Sequence, residues 1–174
     1  MPICGRYMRT SPPVTRTIGT LAQESGLDDA ARAAFLEQFG PSPAKTTAGL
    51  RGSWAASSAR GVDLVGDRLI GCAIVGVGLP QVNPRQEILR RYYDEAGGTG
   101  FDYAYRFPGM NKVLQAAGRV IRTQEDRGVV LLLDDRFARA EYTRLFPRHW
   151  HQLQYLRSTT ELEQQLAAFW ALNQ

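Results

Sequence analysis

Cysteine is scarce in this chain of 174 residues: there are two, Cys4 and Cys72. Two thiols so far apart make no disulfide framework, and a structural zinc site or an iron–sulfur cluster needs about four ligands. Lysine is as rare, since of 21 basic residues only Lys45 and Lys112 are lysines. No apolar run approaches the roughly 18 residues of a membrane span, and the N-terminus lacks the apolar segment of a signal peptide. A cytoplasmic protein without a membrane partner is expected. Repeats and low-complexity tracts are absent. A phosphate loop is absent too. Gly40-Pro41-Ser42-Pro43-Ala44-Lys45-Thr46 ends in the right pair, but Phe39 and Ala44 stand where Gly-x4-Gly-Lys-Ser/Thr requires glycine. Two prolines also remove amides that would wrap a phosphate, so the stretch reads as a linker turn. His149 and His151 flank Trp150 with no cysteine near, which makes a poor metal site. No metal is assigned to this chain's own residues.

What is present is enough for a core. Hydrophobic residues make up 44% of the chain and three are Trp. A domain of this size buries about 70% of its unfolded surface. The formal charge of +4 is mildly basic, which permits binding to nucleic acid without demanding it.

Residues 1–25 show no hydrophobic period and read as irregular; residues 26–174 read as one α/β domain. A helix is expected over Leu27–Phe39, started by Asp28 or Asp29 and stopped by Gly40-Pro41. A strand is expected within Leu50–Ser58. Leu69–Leu79 is almost wholly apolar and reads as a central parallel strand. Its Gly71, Gly76 and Gly78 suggest a closely approached backbone. Asn83-Pro84 should cap a helix reaching Glu95, and Gly97-Gly98 closes it. Phe101–Phe107 is an aromatic linker, whose Tyr103 and Tyr105 either stack on bases or pack inside. Val129–Leu133 reads as a strand buried on both faces, and Asp134 and Asp135 as turn residues pairing with Arg136. Ala138–Leu145 is a short helix stopped by Pro147. Ser158-x-x-Glu161 is a capping box for a last helix with Leu162, Leu166, Phe169 and Leu172 on one side.

The most informative stretch lies between the two apolar strands. On a helix from Met110 to Arg122, the residues Met110, Val113, Leu114, Ala117 and Ile121 form one apolar stripe. Lys112, Gln115, Arg119 and Arg122 fall on the opposite face, with Gly118 beside them. One amide and three cations aimed together suit a polyanion, because the planar guanidinium grips phosphate oxygens in pairs. A solvated helix face has the same pattern.

Residue identities separate the two. Gln115-Ala116-Ala117-Gly118-Arg119-Val120-Ile121-Arg122 matches Gln-x-x-Gly-Arg-x-x-Arg and resembles motif VI of superfamily 2 helicases. The flanking Tyr103–Lys112 and Asp134-Asp135-Arg136-Phe137 resemble the DinG/XPD-type branch of DNA helicases. Ala59-Arg60-Gly61-Val62-Asp63-Leu64 is similar to the end of motif V, with Arg60 in place of glutamate and a stretched spacing.

This resemblance implies a three-layer RecA-like (P-loop NTPase-type) α/β domain with a mostly parallel sheet, truncated at its N-terminal side. It would be the second motor domain of an ATP-dependent DNA helicase. In that family ATP and Mg sit in a cleft between two RecA-like domains, held mainly by the first, which brings the phosphate loop. By resemblance Arg119 and Arg122 are arginine fingers, and Gln115 positions the terminal phosphate or its attacking water. Gly61, Asp63 and Gly118 would border the nucleotide, and Arg60 and Lys112 the nucleic acid. The implied partners are single-stranded or forked DNA and the missing N-terminal motor domain. Some members of the family carry an iron–sulfur cluster, in the other motor half; none is expected here. Two further readings stand beside this one: a non-enzymatic nucleic-acid-binding remnant, and an unrelated α/β domain that binds a small anion.

Overall fold

The structure, a computed structural model, describes residues 19–23, 28–37, 47–51, 69–121, 126–150 and 153–172. The chain divides into two compact units, residues 1–58 and 59–174.

In the first unit, strand β1 (Gly19–Gln23) pairs in parallel with β2 (Thr47–Arg51), Leu21 opposite Gly49. Helix α1 (Asp29–Glu37) lies between them in sequence, giving a strand–helix–strand unit. Asp28 caps it, its Oδ1 accepting from the Ala31 amide at 2.7 Å. β1 falls inside the first 25 residues, which the sequence reads as irregular. Pairing with β2, rather than any local period, makes it a strand. The expected helix stop at Gly40-Pro41 lies outside the described residues.

In the second unit, β3 (Gly71–Val75) pairs in parallel with β4 (Val129–Leu133), Ala73 opposite Leu131. The two apolar runs are therefore adjacent, as their composition suggests. β3 is shorter than the Leu69–Leu79 run, because Gly76 and Gly78 take φ of +80° and +66°. These glycines turn the chain through the left-handed region, which strands do not enter.

Helix α2 (Pro84–Glu95) starts where the sequence places it, the Asn83 Oδ1 accepting from the Gln86 amide at 3.0 Å. Gly97, at φ +79°, ends the turn after it. The aromatic stretch is not a linker but a π-helical turn, Asp102–Arg106, which runs unbroken into α3 (Phe107–Ala117). It packs against α2. Tyr105 is buried and donates its hydroxyl to Glu87 Oε1 at 2.6 Å. Tyr103 stacks on Tyr93 with centroids 4.1 Å apart and planes 12° from parallel.

After β4 come a 3₁₀ turn (Asp135–Ala138) and the single turn α4 (Ala140–Thr143), separated by extended Arg139, where one helix over Ala138–Leu145 is expected. Helix α5 (Thr159–Leu172) closes the described chain. Its cap is the expected box shifted at one end. Ser158 Oγ accepts from the Glu161 amide at 3.2 Å, while Glu161 reaches the Arg157 amide at 2.7 Å.

The core lies on one face of the sheet, where β3 packs against α3 and Ile74, Met110, Val113 and Ala117 are buried, as are Val77, Val120 and Phe137. The other face departs from the expected burial. Its Val75 is 71% exposed and Leu133 is 51% exposed. Among the described residues the sheet has two strands here, and Leu166 and Trp170 of α5 meet Gly71, Ala73, Val129 and Leu131 only around a cavity of about 290 Å³. Cys72 borders that cavity, and burial pushes its thiol up to about 11, so it stays protonated at neutral pH.

One glycine fixes where α3 sits. A Cβ on Gly109 would lie 2.9 Å from Leu79 Cδ2 and 3.0 Å from the Val77 carbonyl oxygen. Helix and loop backbone are thus in direct contact. Gly109→Ala should destabilise the protein by about 1–3 kcal/mol despite the better helix propensity of alanine, as read by urea unfolding. A neutral or stabilising result would show that the contact can relax.

Asp134 gives a second expectation. Its carboxylate takes the Arg136 Nε at 2.8 Å and Nη2 at 2.6 Å. The hydrogen bond to the Arg136 side chain, ahead of that residue's amide and charge, holds it down at about 2. A depressed carboxylate contributes stability above its unfolded value near 3.9, lost as pH falls through the folded value. Wild type should therefore lose on the order of 1–2 kcal/mol between about pH 4 and pH 2 that Asp134→Asn does not lose. Parallel unfolding curves at several pH values check this.

Candidate functional site

Helix α3 separates core from surface along its length. Met110, Val113 and Ala117 are buried and Leu114 is half-buried, while Gln115 is exposed. The helix, however, stops at Ala117 rather than running to Arg122. Gly118 forms the C-cap at φ −65°, a conformation open to any residue. Beyond it the spacing tightens: the Arg119 amide donates to the Ala116 carbonyl at 3.1 Å, and that of Val120 to Ala117 at 3.0 Å. Three-residue turns bring round residue 120 where an α-helix would bring 121. Val120 is accordingly buried, and Ile121, expected in the stripe, is 50% exposed.

The predicted polar row is therefore divided. Gln115, Gly118 and Arg119 are exposed together at the C-terminal end of α3. Lys112 is half-buried, and its ammonium donates to the Gly78 carbonyl at 3.4 Å, on the loop after β3. Seven residues separate Lys112 from Arg119, about 10 Å along a helix axis. Arg122 lies outside the described residues, as do Arg60, Gly61 and Asp63.

The two groups face opposite ends of the sheet. Gly109 touches Val77 and Leu79, beyond the C-terminal end of β3. At the other end, a Cβ on Gly128 would meet Val120 Cγ1 and the Ile70 carbonyl, just before β4 and β3 begin. Gln115 and Arg119 thus sit near the N-terminal ends of the strands. The helix end there carries the negative pole of the backbone dipole and exposes carbonyls, not amides. An anion at this place would have to be held by side chains that reach past the helix, which favours arginine.

The acidic end of β4 holds no cation site. Asp134 is tied to Arg136, as expected, whereas Asp135 pairs with Arg139 at 2.8 Å rather than with Arg136. Among the described residues no three His, Cys, Asp or Glu side chains gather as metal ligands. His149 is exposed and meets Trp150 edge-on; His151 lies outside the described residues.

Sequence reasoning misses one cluster. Asp102 is 4% exposed and accepts from two guanidinium groups, Arg106 Nη1 and, at 3.0 Å, Arg144 Nη2. Arg106 also lies over the rings of Phe101 and Tyr142, 5.5 Å and 5.1 Å from their centroids. The Asp102–Arg106 spacing of four is a readable helical pair. Nothing local announces Arg144, 42 residues further on.

Comparison with known proteins fits this geometry. Residues 4–153 match the family described as helicase C-terminal domain. Over 88 residues the chain is 34% identical to the ATP-dependent DNA helicase DinG of Photobacterium profundum, an alignment covering 49% of this chain and 13% of that protein. Over 83 residues it is 39% identical to the regulator of telomere elongation helicase 1 of Bos taurus, covering 41% of this chain and 7% of that protein. The chain therefore spans a small part of the length of these relatives. A solved XPD helicase superposes with a TM-score of 0.50 at 17% identity, over 74% of this chain and 23% of that one. That likeness speaks for the fold, a RecA-like α/β domain. No described helix is long and apolar enough to cross a membrane. With most of its length matched, the chain belongs to the helicase C-terminal domain family, in the DinG/XPD-type branch.

Proposed function

We propose that this chain acts as the second motor domain of an ATP-dependent DNA helicase, and that Arg119 with Arg122 completes a nucleotide site held mainly by a first RecA-like domain. The carrying observation is the exposure of Gln115 and Arg119 at one helix end, while their neighbours Val113, Ala117 and Val120 are buried. The core fixes the helix, and the polar side chains lie on its outer side, accessible to a second domain. Neither of the two cavities described, beside the N-terminal end of α5 and over the sheet, includes Gln115 or Arg119. An exposed arginine outside both of these cavities suits a finger that enters another domain's site.

Phosphoryl transfer depends on positioning and charge neutralisation more than on covalent chemistry. ATP and its Mg belong to the partner half, which supplies the phosphate loop this sequence lacks. Gln115 orients the terminal phosphate or the attacking water. Arg119 and Arg122 neutralise charge that develops on the transferred group. Gly61, Asp63 and Gly118 border the nucleotide, and Arg60 and Lys112 lie toward single-stranded or forked DNA. The bond of Lys112 to Gly78 supports a position at the far end of α3 from the finger. Relatives named as DNA helicases support DNA as the partner.

In a helicase containing this domain with its partner half, Arg119→Ala should lower kcat by about 10³–10⁵, with little change in nucleotide affinity. Stability should stay within about 0.5 kcal/mol. Arg85→Ala is the internal control, because Arg85 is an exposed arginine of α2 that belongs to neither the nucleotide site nor the nucleic-acid site proposed here. Steady-state ATPase with single-stranded DNA present, alongside thermal unfolding, checks both; near-normal kcat in Arg119→Ala sinks the finger assignment. The isolated chain should hydrolyse ATP no faster than buffer. Turnover that survives purification and vanishes in Arg119→Ala would overturn the division of labour between two domains.

A further inference from the structure

Helix α2 reverses the usual order of a surface helix. A helix packed on a domain ordinarily sends its apolar stripe inward and its charges to solvent. Here the half-buried side chains are Gln86, Glu87, Arg90 and Tyr93. Glu87 takes the Tyr105 hydroxyl at 2.6 Å and Arg90 Nε at 3.0 Å, and Tyr93 stacks on Tyr103. Asp94 accepts from Arg90 Nη1 at 3.0 Å and from the Gly100 amide at 2.7 Å. Polar bonds and one ring stack thus hold α2 to its domain. The apolar residues lie outside: Ile88 is 70% exposed and Tyr92 64%, with Leu89 exposed beside them.

The spacing of the outer face is that of a helix-pairing seam. Arg85, Ile88, Tyr92 and Glu95 are all exposed, at intervals of three, four and three residues, which sets them on one stripe. The stripe reads basic, apolar, aromatic, acidic, and so complements its own reverse. An antiparallel copy centred on position 90 sets each Ile88 against a Tyr92 and each Arg85 against a Glu95. The two charges are misplaced for a solitary helix, since a cation in the first turn and an anion at the last residue both oppose the backbone dipole. In the antiparallel pair each lies beside the complementary pole of the other helix.

We infer that the outer face of α2 is a self-association surface, on which a second copy of this chain seats its own α2 antiparallel about a two-fold axis near residue 90. The same patch serves both copies, so the contact closes at a dimer. Leu89 flanks the seam on one side and Arg91 on the other, where the two Arg91 side chains of a pair meet and repel. Two such short helices bury less than the roughly 1,200 Å² of a stable interface, and the dissociation constant should be on the order of 10⁻⁴ M. The seam contains no residue of the nucleotide or nucleic-acid sites proposed above. ATPase assays, run at far lower protein concentration, see the monomer.

The test is sedimentation velocity of the whole chain from about 10 μM to about 1 mM. Wild type should pass from monomer to dimer and no further, and Ile88→Glu should stay monomeric throughout. Arg85→Glu and Glu95→Arg should each weaken dimerisation by at least about tenfold, because like charges then oppose each other at both ends of the seam. The two changes together should restore it to within about threefold of wild type, a reciprocity that damage to the fold does not produce. Arg91→Ala should tighten the dimer. Thermal unfolding of each variant shows whether the fold is kept. Neither charge reversal should lower it, since each new charge suits the helix end it occupies, so the reversals carry the test if Ile88→Glu unfolds. A wild-type chain that stays monomeric across the range, or grows into larger aggregates without a dimer, would overturn the inference. So would a dimer indifferent to Ile88→Glu and to both reversals, or a double reversal no better than either single one. Each of these leaves the motor-domain reading standing.

Discussion

The nucleotide role proposed for this domain depends on the contact between Gly109 and the loop that follows β3. A helix carrying functional side chains needs a fixed height and rotation on its sheet. Apolar burial fixes the rotation, through Met110, Val113 and Ala117, but the hydrophobic effect is itself non-directional. A helix backbone resting on the Val77 carbonyl and Leu79 is seated closely, since a Cβ at position 109 would lie 3.0 Å from that oxygen and 2.9 Å from Leu79 Cδ2. The same approach brings Lys112 to the Gly78 carbonyl. Glycine is required here for proximity, whereas at Gly76 and Gly78 it is required for a positive φ. The two demands meet in one short segment: the loop must turn sharply enough to lie under the helix, and the helix must have no side chain where it lies.

That seating makes α3 a strut between two ends of the sheet. One end meets the loop beyond β3; the other ends in the turn that buries Val120 against Gly128 and Ile70. A helix is stiff along its axis, so a displacement at one end is felt at the other. In a motor this is a useful property. Forces at the Arg119 end and at the Asp102 end would act on one rigid body, continued by the π-helical turn. π-turns within helices often occur at functional sites, and here the extra residue in the turn carries the chain past Asp102, Tyr103 and Tyr105, each with a different partner. Asp102 goes to Arg144, Tyr103 to Tyr93, and Tyr105 to Glu87.

How much of this is readable beforehand follows the range of the interactions. α2 is legible at both ends, because Asn83-Pro84 and Gly97 act within a few residues of themselves. The adjacency of β3 and β4 is legible from composition and the parallel crossover. The end of α3 is not. Periodicity carries the helix through Gly118 to Arg122, and neither residue spacing nor the motif VI resemblance marks where α-helical bonding gives way to three-residue turns. Composition overstates the burial of the sheet at Val75 and Leu133, since apolar strands state a need for cover without saying what supplies it. β1 escapes a local reading because its partner β2 comes only after an intervening helix. Of the candidate residues, Gln115, Gly118 and Arg119 are legible as an exposed group. Lys112 falls in the same row on paper because a helical wheel discards height along the axis.

The position of Arg119 also gives a reason why the proposed contact with phosphate would use arginine and not a backbone nest. Phosphate loops use the N-terminal end of a helix, where amides and the positive pole of the dipole converge on the anion. This domain offers the other pole. At a helix C-terminus an anion close to the backbone meets carbonyl oxygens and is repelled. A long side chain bearing a permanent charge solves the problem, because its guanidinium stands well clear of the carbonyls while its own charge complements the helix end. Such a group complements the negative pole of the helix in the isolated domain. In the proposed role it would become catalytic only when a second domain brings a phosphate within reach, which would make the chemistry conditional on domain closure. A motor needs that condition if hydrolysis is to be coupled to movement.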